Sequence, residues 1–185
     1  MFIKLSICML MLSINLPGYS QSDLNYSPKQ LLKEFSKYAK TETINYKEIP
    51  HPQNINYAGK FFKIQNAIPD FPYNYIYIGR VNTCRAGGCS DKAKNKDEGV
   101  DEYFDYYILY DQTLSVKLVK VFDYQASHGQ EMTSVGWLKQ FIGYSNMKTL
   151  RVGKEVDAIS GATISVNAIT DDIKLKSAIL KKIIL

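Results

Sequence analysis

Apolar positions along this chain follow two different spacings. Leu31, Leu32, Phe35 and Tyr38 recur at helical spacing behind Ser27 and Pro28. That predicts a first helix with Ser27 as N-cap and Pro28 in its opening turn. The stretch from Thr41 to Gly59, with Pro50, Pro52 and several Asn, reads as an irregular connector. Four short runs rich in Tyr, Ile, Val and Phe follow: Lys60 to Asn66, Tyr73 to Val81, Tyr103 to Tyr110 and Leu114 to Phe122. Many of their positions alternate, as strands with one buried face do. Asp111 to Thr113 reads as the hairpin turn between the last two. Helical spacing returns in Thr133 to Ile142, where Trp137 and Phe141 lie one turn apart. It returns again after Gly161, where Val166, Ile169, Ile173 and Leu180 share a face. Strands in the middle with helices at the flanks predict an α+β fold, a mainly antiparallel sheet in a single domain.

The N-terminus has a pattern of its own. Lys4 precedes an apolar run from Leu5 to Leu16, Pro17 breaks it, and Gly18 and Ser20 are small. A cut after Ser20 would place them at the −3 and −1 positions of a secretory signal peptide. The run is short for a membrane-spanning helix, and an uncleaved anchor is the alternative reading. The expected organisation is a signal peptide over 1–20, a helix and connector over 21–59, and the main domain over 60–185. The mature protein is expected outside the cytoplasm, in a periplasmic or extracytoplasmic setting.

Composition narrows the function classes. The chain has 185 residues, 45% of them hydrophobic, enough for one core and too many for global disorder. Its net charge of +5 comes largely from Lys92, Lys94 and Lys96 in one polar stretch, and from Lys174, Lys176, Lys181 and Lys182 on the last helix. Both groups read as solvated faces. With no dense basic stripe or recognition motif, nucleic acid is not an expected partner.

The segment Asp157-Ala158-Ile159-Ser160-Gly161-Ala162-Thr163 carries the main candidate chemistry. Ser160 and Gly161 predict a turn, and a helix begins near Thr163. Free N–H groups at a helix start attract anions. Gly161 and Ala162 are small enough for a phosphate to approach the backbone. An ordinary helix cap has the same appearance.

With Ile164 and Ser165 after it, this segment resembles the flavinylation motif of the FMN-binding domain family, which includes the flavin subunits of sodium-pumping quinone reductases and related electron-transfer complexes. The resemblance implies that Thr163 is joined to the FMN phosphate by a phosphoester bond. A separate flavin transferase would install it from FAD with a divalent metal. It also implies that Asp157, Ser160, Gly161 and Ala162 serve transferase recognition or phosphate placement. Upstream, the order of elements from about Tyr73 to Asp172 is similar to the family domain. Ion-pumping members carry an acidic Thr-Pro-Gly loop where this chain reads Glu131-Met132-Thr133-Ser134-Val135-Gly136. That departure favours a stand-alone soluble flavin carrier over a subunit docked in a membrane redox complex.

Further candidates for flavin contact are Glu131, Thr133, Trp137 and His128. Each also has a plain structural reading: a solvated carboxylate, core packing of Trp137 with Phe141, a turn histidine beside Gly129. Removal of the signal would leave two cysteines, Cys84 and Cys89, four residues apart around Gly87 and Gly88. In an oxidising compartment a local disulfide is the favoured reading, with a redox dithiol as the alternative. Two cysteines are too few for a metal or iron–sulfur site. Arg85, in the same loop, is either a phosphate contact or an exposed arginine. Three functions stay open: an electron carrier between an upstream reductase and a downstream acceptor, a flavin-dependent reductase of a small acceptor, and a binding or thiol–disulfide module without flavin.

Overall fold

The computed structural model describes residues 24–39, 43–50, 57–66, 68–83, 102–145 and 148–185. The expected signal peptide, Cys84, Cys89, Arg85 and the Lys92–Lys96 group lie outside the described residues.

The fold is α+β. Strands β1 (Tyr46–Glu48), β2 (Lys60–Ile64), β3 (Tyr75–Asn82), β4 (Tyr103–Tyr110) and β5 (Val116–Tyr124) form one sheet in chain order, every neighbouring pair antiparallel. Helix α1 (Lys29–Phe35) precedes the sheet, α2 (Val135–Leu138) follows it, and α3 (Thr163–Ile184) ends the chain. β3 and β4 pair without a break from Tyr75 opposite Tyr110 to Asn82 opposite Tyr103. The pairing of β4 with β5 slips at two points, between Asp105 and Tyr106 and between Leu109 and Tyr110.

Helices cover both faces, so alternation is lost at the centre of the sheet. All of β4 after Tyr103 is buried. On one face, Phe61, Tyr77, Tyr106, Ile108 and Tyr110 pack with Val166, Ile169, Ile173 and Leu180 of α3. Each α3 side chain removed from water there contributes about 1.5–3 kcal/mol of transfer free energy, which holds the helix on the sheet. On the other face, Phe62, Ile76, Ile78, Tyr107 and Leu109 pack with Leu31 and Phe35 of α1. The apolar face predicted for α3 is the face observed.

Several expectations need correction. Pro28 is the N-cap of α1 and not a first-turn residue, while the Ser27 hydroxyl bonds the Tyr46 hydroxyl at 2.6 Å. Leu32 and Tyr38 are exposed: Leu32 lies off the buried face of α1, which is Leu31, Glu34 and Phe35, and Tyr38 lies past the helix end at Phe35. Part of the expected connector is β1, whose three residues are held by pairing with β2. The hairpin turn extends past Thr113, so β5 starts at Val116 and not at Leu114. The Asp111 carboxylate accepts from the backbone N–H groups of Thr113 and Ser115, and Leu114 takes a φ of 62°. The continuous helix expected over Thr133 to Ile142 is three short pieces: a 3-10 turn Gln130–Thr133, α2, and a 3-10 turn Lys139–Phe141. Ser134 is extended (ψ 137°) and caps α2 by accepting from Trp137 N–H, so no helix runs through it.

Lys176 is not on a solvated face. It is 3% exposed, its ammonium 3.2 Å from Asp172 and above the rings of Tyr77 and Tyr57 at 5.3 and 5.7 Å. Among the described residues, no helix is long and apolar enough to cross a membrane.

Candidate functional site

The Asp157–Thr163 segment is fixed from both ends. Before it, Val156 is fully buried and bridges to Val152, closing a small loop that Gly153 N–H bonds to Val156 C=O. At Asp157 the chain is held at both backbone polar groups. Its N–H donates to Gln140 Oε1 at 2.7 Å, and its C=O accepts from Trp137 Nε1 at 2.9 Å. Trp137 is buried with its ring edge-to-face against Phe141, centroids 5.4 Å apart. The indole therefore packs in the core while its N–H reaches the motif.

The turn predicted at Ser160 and Gly161 is present. Ala162 N–H donates to Ile159 C=O at 3.1 Å, and Gly161 has a φ of 80°. A turn with positive φ only at its third residue is type II, which favours glycine there. A Cβ on Gly161 would meet nothing within 4 Å, so space above the turn is open. Ala162, buried in the core, is the N-cap of α3 and has no side-chain oxygen to offer. The first helical bond runs from Val166 N–H to Ala162 C=O. The N–H groups of Thr163, Ile164 and Ser165 therefore have no acceptor among the described residues. A Ser, Thr or Asp cap would have satisfied one of them. Thr163 and Ser160 are exposed.

The loop after β5 closes the other side. Tyr124 Oη donates to His128 C=O at 2.5 Å and lies 3.1 Å from Ser165 Oγ in the first turn of α3. A phenol has one proton, so the Ser165 hydroxyl is the donor in the second bond. Burial raises the Tyr124 pKa, and the Ser165 bond partly offsets this. Gly129, with a φ of 88°, lies so close that a Cβ there would be 3.0 Å from Ser165 Oγ and from Tyr124 Oη, and 3.3 Å from Ala162 Cβ. The loop thus seats His128 and Gly129 beside the start of α3.

Of the candidates, Asp157, Ser160, Gly161, Ala162 and Thr163 lie on one segment, and Trp137 is bonded to it at Asp157 C=O. His128 is exposed, and its carbonyl is held by Tyr124. Glu131 is exposed in the adjoining 3-10 turn, and the Thr133 hydroxyl donates to Gln130 C=O at 2.8 Å. Sequence reasoning missed Gln140 and Tyr124, and it named Ser165 only within the motif, not as the partner of Tyr124. Nothing local marks them, because each acts on a segment distant in sequence.

The model of the FMN-binding domain family matches residues 92–175. That segment is similar to the domain of this family. No curated protein matches the chain. The residues present fit the cofactor the family name implies. An FMN-binding domain needs a place for an anionic phosphate, and the N–H groups at the head of α3, without acceptors among the described residues and under an open glycine turn, are the groups that would hold it. The partial positive charge of that helix end favours the anion further, by about 0.3–1 kcal/mol at an exposed site. The match supports a flavin-binding protein, and α3, through the core it shares with β3 and β4, fixes that end of the fold to the sheet.

Proposed function

We propose that the protein is an exported electron carrier whose FMN is esterified through its phosphate to Thr163. The observation that carries this reading is the exposed Thr163 at the head of α3, beside N–H groups without acceptors among the described residues, within the segment that matches the FMN-binding domain. In maturation, the Thr163 oxygen forms a bond to the phosphorus on the FMN side of FAD. The phosphoanhydride bond breaks, AMP leaves, and the hydroxyl proton is released. The Thr163, Ile164 and Ser165 N–H groups stabilise the phosphate charge, and Gly161 keeps the approach clear. When bound, FMN supplies one- or two-electron redox chemistry. The covalent link keeps the cofactor from being lost outside the cytoplasm, where the run Leu5–Leu16 followed by Gly18 and Ser20 directs the chain. An upstream reductase and a downstream acceptor complete the circuit.

Denaturing electrophoresis of the protein co-produced with a flavin transferase tests the link. The expected result is a fluorescent flavin band at the protein's position that Thr163→Ala abolishes. Flavin that leaves the wild-type protein on denaturation contradicts the ester.

A further inference from the structure

Asp157 is held by its backbone and free at its side chain. Its N–H and C=O are bonded to Gln140 and Trp137, while its carboxylate is exposed and has no partner among the described residues. The two holding side chains come from one short segment, three residues apart, so they reach out on the same side. Each is itself oriented. Gln140 Nε2 donates to Trp137 C=O at 3.1 Å, which turns Oε1 toward the Asp157 N–H. The Trp137 ring is set by its edge contact with Phe141. A backbone bonded at both polar groups under a carboxylate that serves nothing in the described fold is an arrangement for presenting that carboxylate outward. It stands six residues before the Thr163 hydroxyl, joined to it by the Ile159–Ala162 turn.

We propose that Gln140 and Trp137 are positioning residues: their grip on the Asp157 backbone presents its carboxylate to the flavin transferase that loads Thr163. The inference rests on the reading that Thr163 is flavinylated. A carboxylate is recognised by a divalent cation or by basic side chains, and a transferase acting on FAD with a metal offers both kinds of partner.

The test uses the full chain without flavin, purified flavin transferase, FAD and Mg2+, with initial loading rates read by intact mass over a range of protein concentration. Gln140→Ala removes the acceptor for Asp157 N–H, and the apparent KM for the protein rises about tenfold while kcat changes by less than about twofold. Gln140→Glu keeps an acceptor oxygen for Asp157 N–H but loses the Nε2 donor to Trp137 C=O, and it restores KM part of the way, to within about threefold of wild type. Trp137→Phe keeps an aromatic ring and loses the N–H, and its KM rises like that of Gln140→Ala. Thermal melts of each variant accompany the rates, and a folding defect alone would not separate Gln140→Glu from Gln140→Ala in KM at matched stability. The proposal is overturned if Gln140→Ala and Trp137→Phe load with the wild-type KM, or if Gln140→Glu fails as Gln140→Ala does. Those outcomes leave the flavinylation of Thr163 standing. A wild-type chain that takes no flavin from a transferase active on a control protein overturns both.

Discussion

The ammonium of Lys176 lies 3.2 Å from Oδ1 of Asp172, inside the layer between α3 and the sheet. Oδ2 of the same carboxylate accepts from the Tyr106 hydroxyl at 2.5 Å. The rings of Tyr77 and Tyr57 complete the surroundings of the ammonium. A buried cation held this way needs its counter-charge, because removing one partner leaves the other desolvated and unpaired. Asp172→Ala is therefore expected to destabilise the fold by roughly 3–5 kcal/mol in urea unfolding. Lys176→Met, which keeps volume and leaves Asp172 its Tyr106 bond, is expected to cost less. Equal losses for the two variants would show that the Tyr106 bond does not sustain Asp172 once its ammonium is gone.

Alkali should unfold the protein through its buried tyrosines. Burial is the main cause that raises the pKa of Tyr77, Tyr106, Tyr107 and Tyr110 above the ordinary phenol value. Below about pH 10 these phenols are protonated in both states and their contribution is intact. Above it the unfolded chain releases protons that the native state retains, so stability falls as pH rises. Each such tyrosine adds a slope of about 1.4 kcal/mol per pH unit until its folded pKa is reached. Urea midpoints measured from about pH 9 to pH 11 should decline steadily. Absorbance of tyrosinate from these four should appear only with unfolding. Their reversible ionisation in a protein with unchanged circular dichroism would contradict the burial.

The two glycines beside the head of α3 differ in what they avoid. Gly161 has open space around it, so Gly161→Ala carries only the left-handed backbone cost, about 1–2 kcal/mol. Gly129 has that cost and a crowded neighbourhood, Ser165 Oγ and Tyr124 Oη both 3.0 Å from an added Cβ. Gly129→Ala should cost roughly 2–4 kcal/mol. Thermal unfolding of both variants checks the order, and a larger loss at Gly161 would refute it.

Tyr124 ties the loop after β5 to α3, and that tie is testable on its own. Tyr124→Phe leaves His128 C=O without its donor and Ser165 Oγ without its acceptor. The expected loss is about 1–3 kcal/mol. Hydrogen exchange should show faster opening at Ser127 to Glu131 than in β3 or β4, whose amides are in the paired centre of the sheet. Unchanged exchange in that loop would mean that the bonds do not hold it.

How much of this was legible in the sequence depends on how local the cause is. The bounds of β4 are legible because Tyr103–Tyr110 is an unbroken run of aromatic and aliphatic residues apart from Asp105. The α3 face and the Ser160–Gly161 turn were legible for the same reason: periodicity and glycine act over a few residues. β1 was not, since its three residues form a strand only by pairing with β2. The break at Ser134 was hidden in a periodic apolar pattern that a capping serine interrupts. The burial of Lys176 needed Asp172 one turn earlier and tyrosines from β3 and the connector, which no helical spacing reveals. Within the site, the motif itself could be read, and the residues that hold it could not. Gln140 is 17 positions from the N–H it accepts, and Tyr124 is 41 from Ser165.

The central claim is that Thr163 carries the flavin, and intact mass on the mature protein tests it most directly. The protein is produced in an exporting host together with a flavin transferase, beside Thr163→Ala. The account predicts a mass gain of one FMN less one water in the wild type, and none in the variant. No gain in the wild type, with the transferase active on a control substrate, would contradict it, as would a gain that survives in Thr163→Ala.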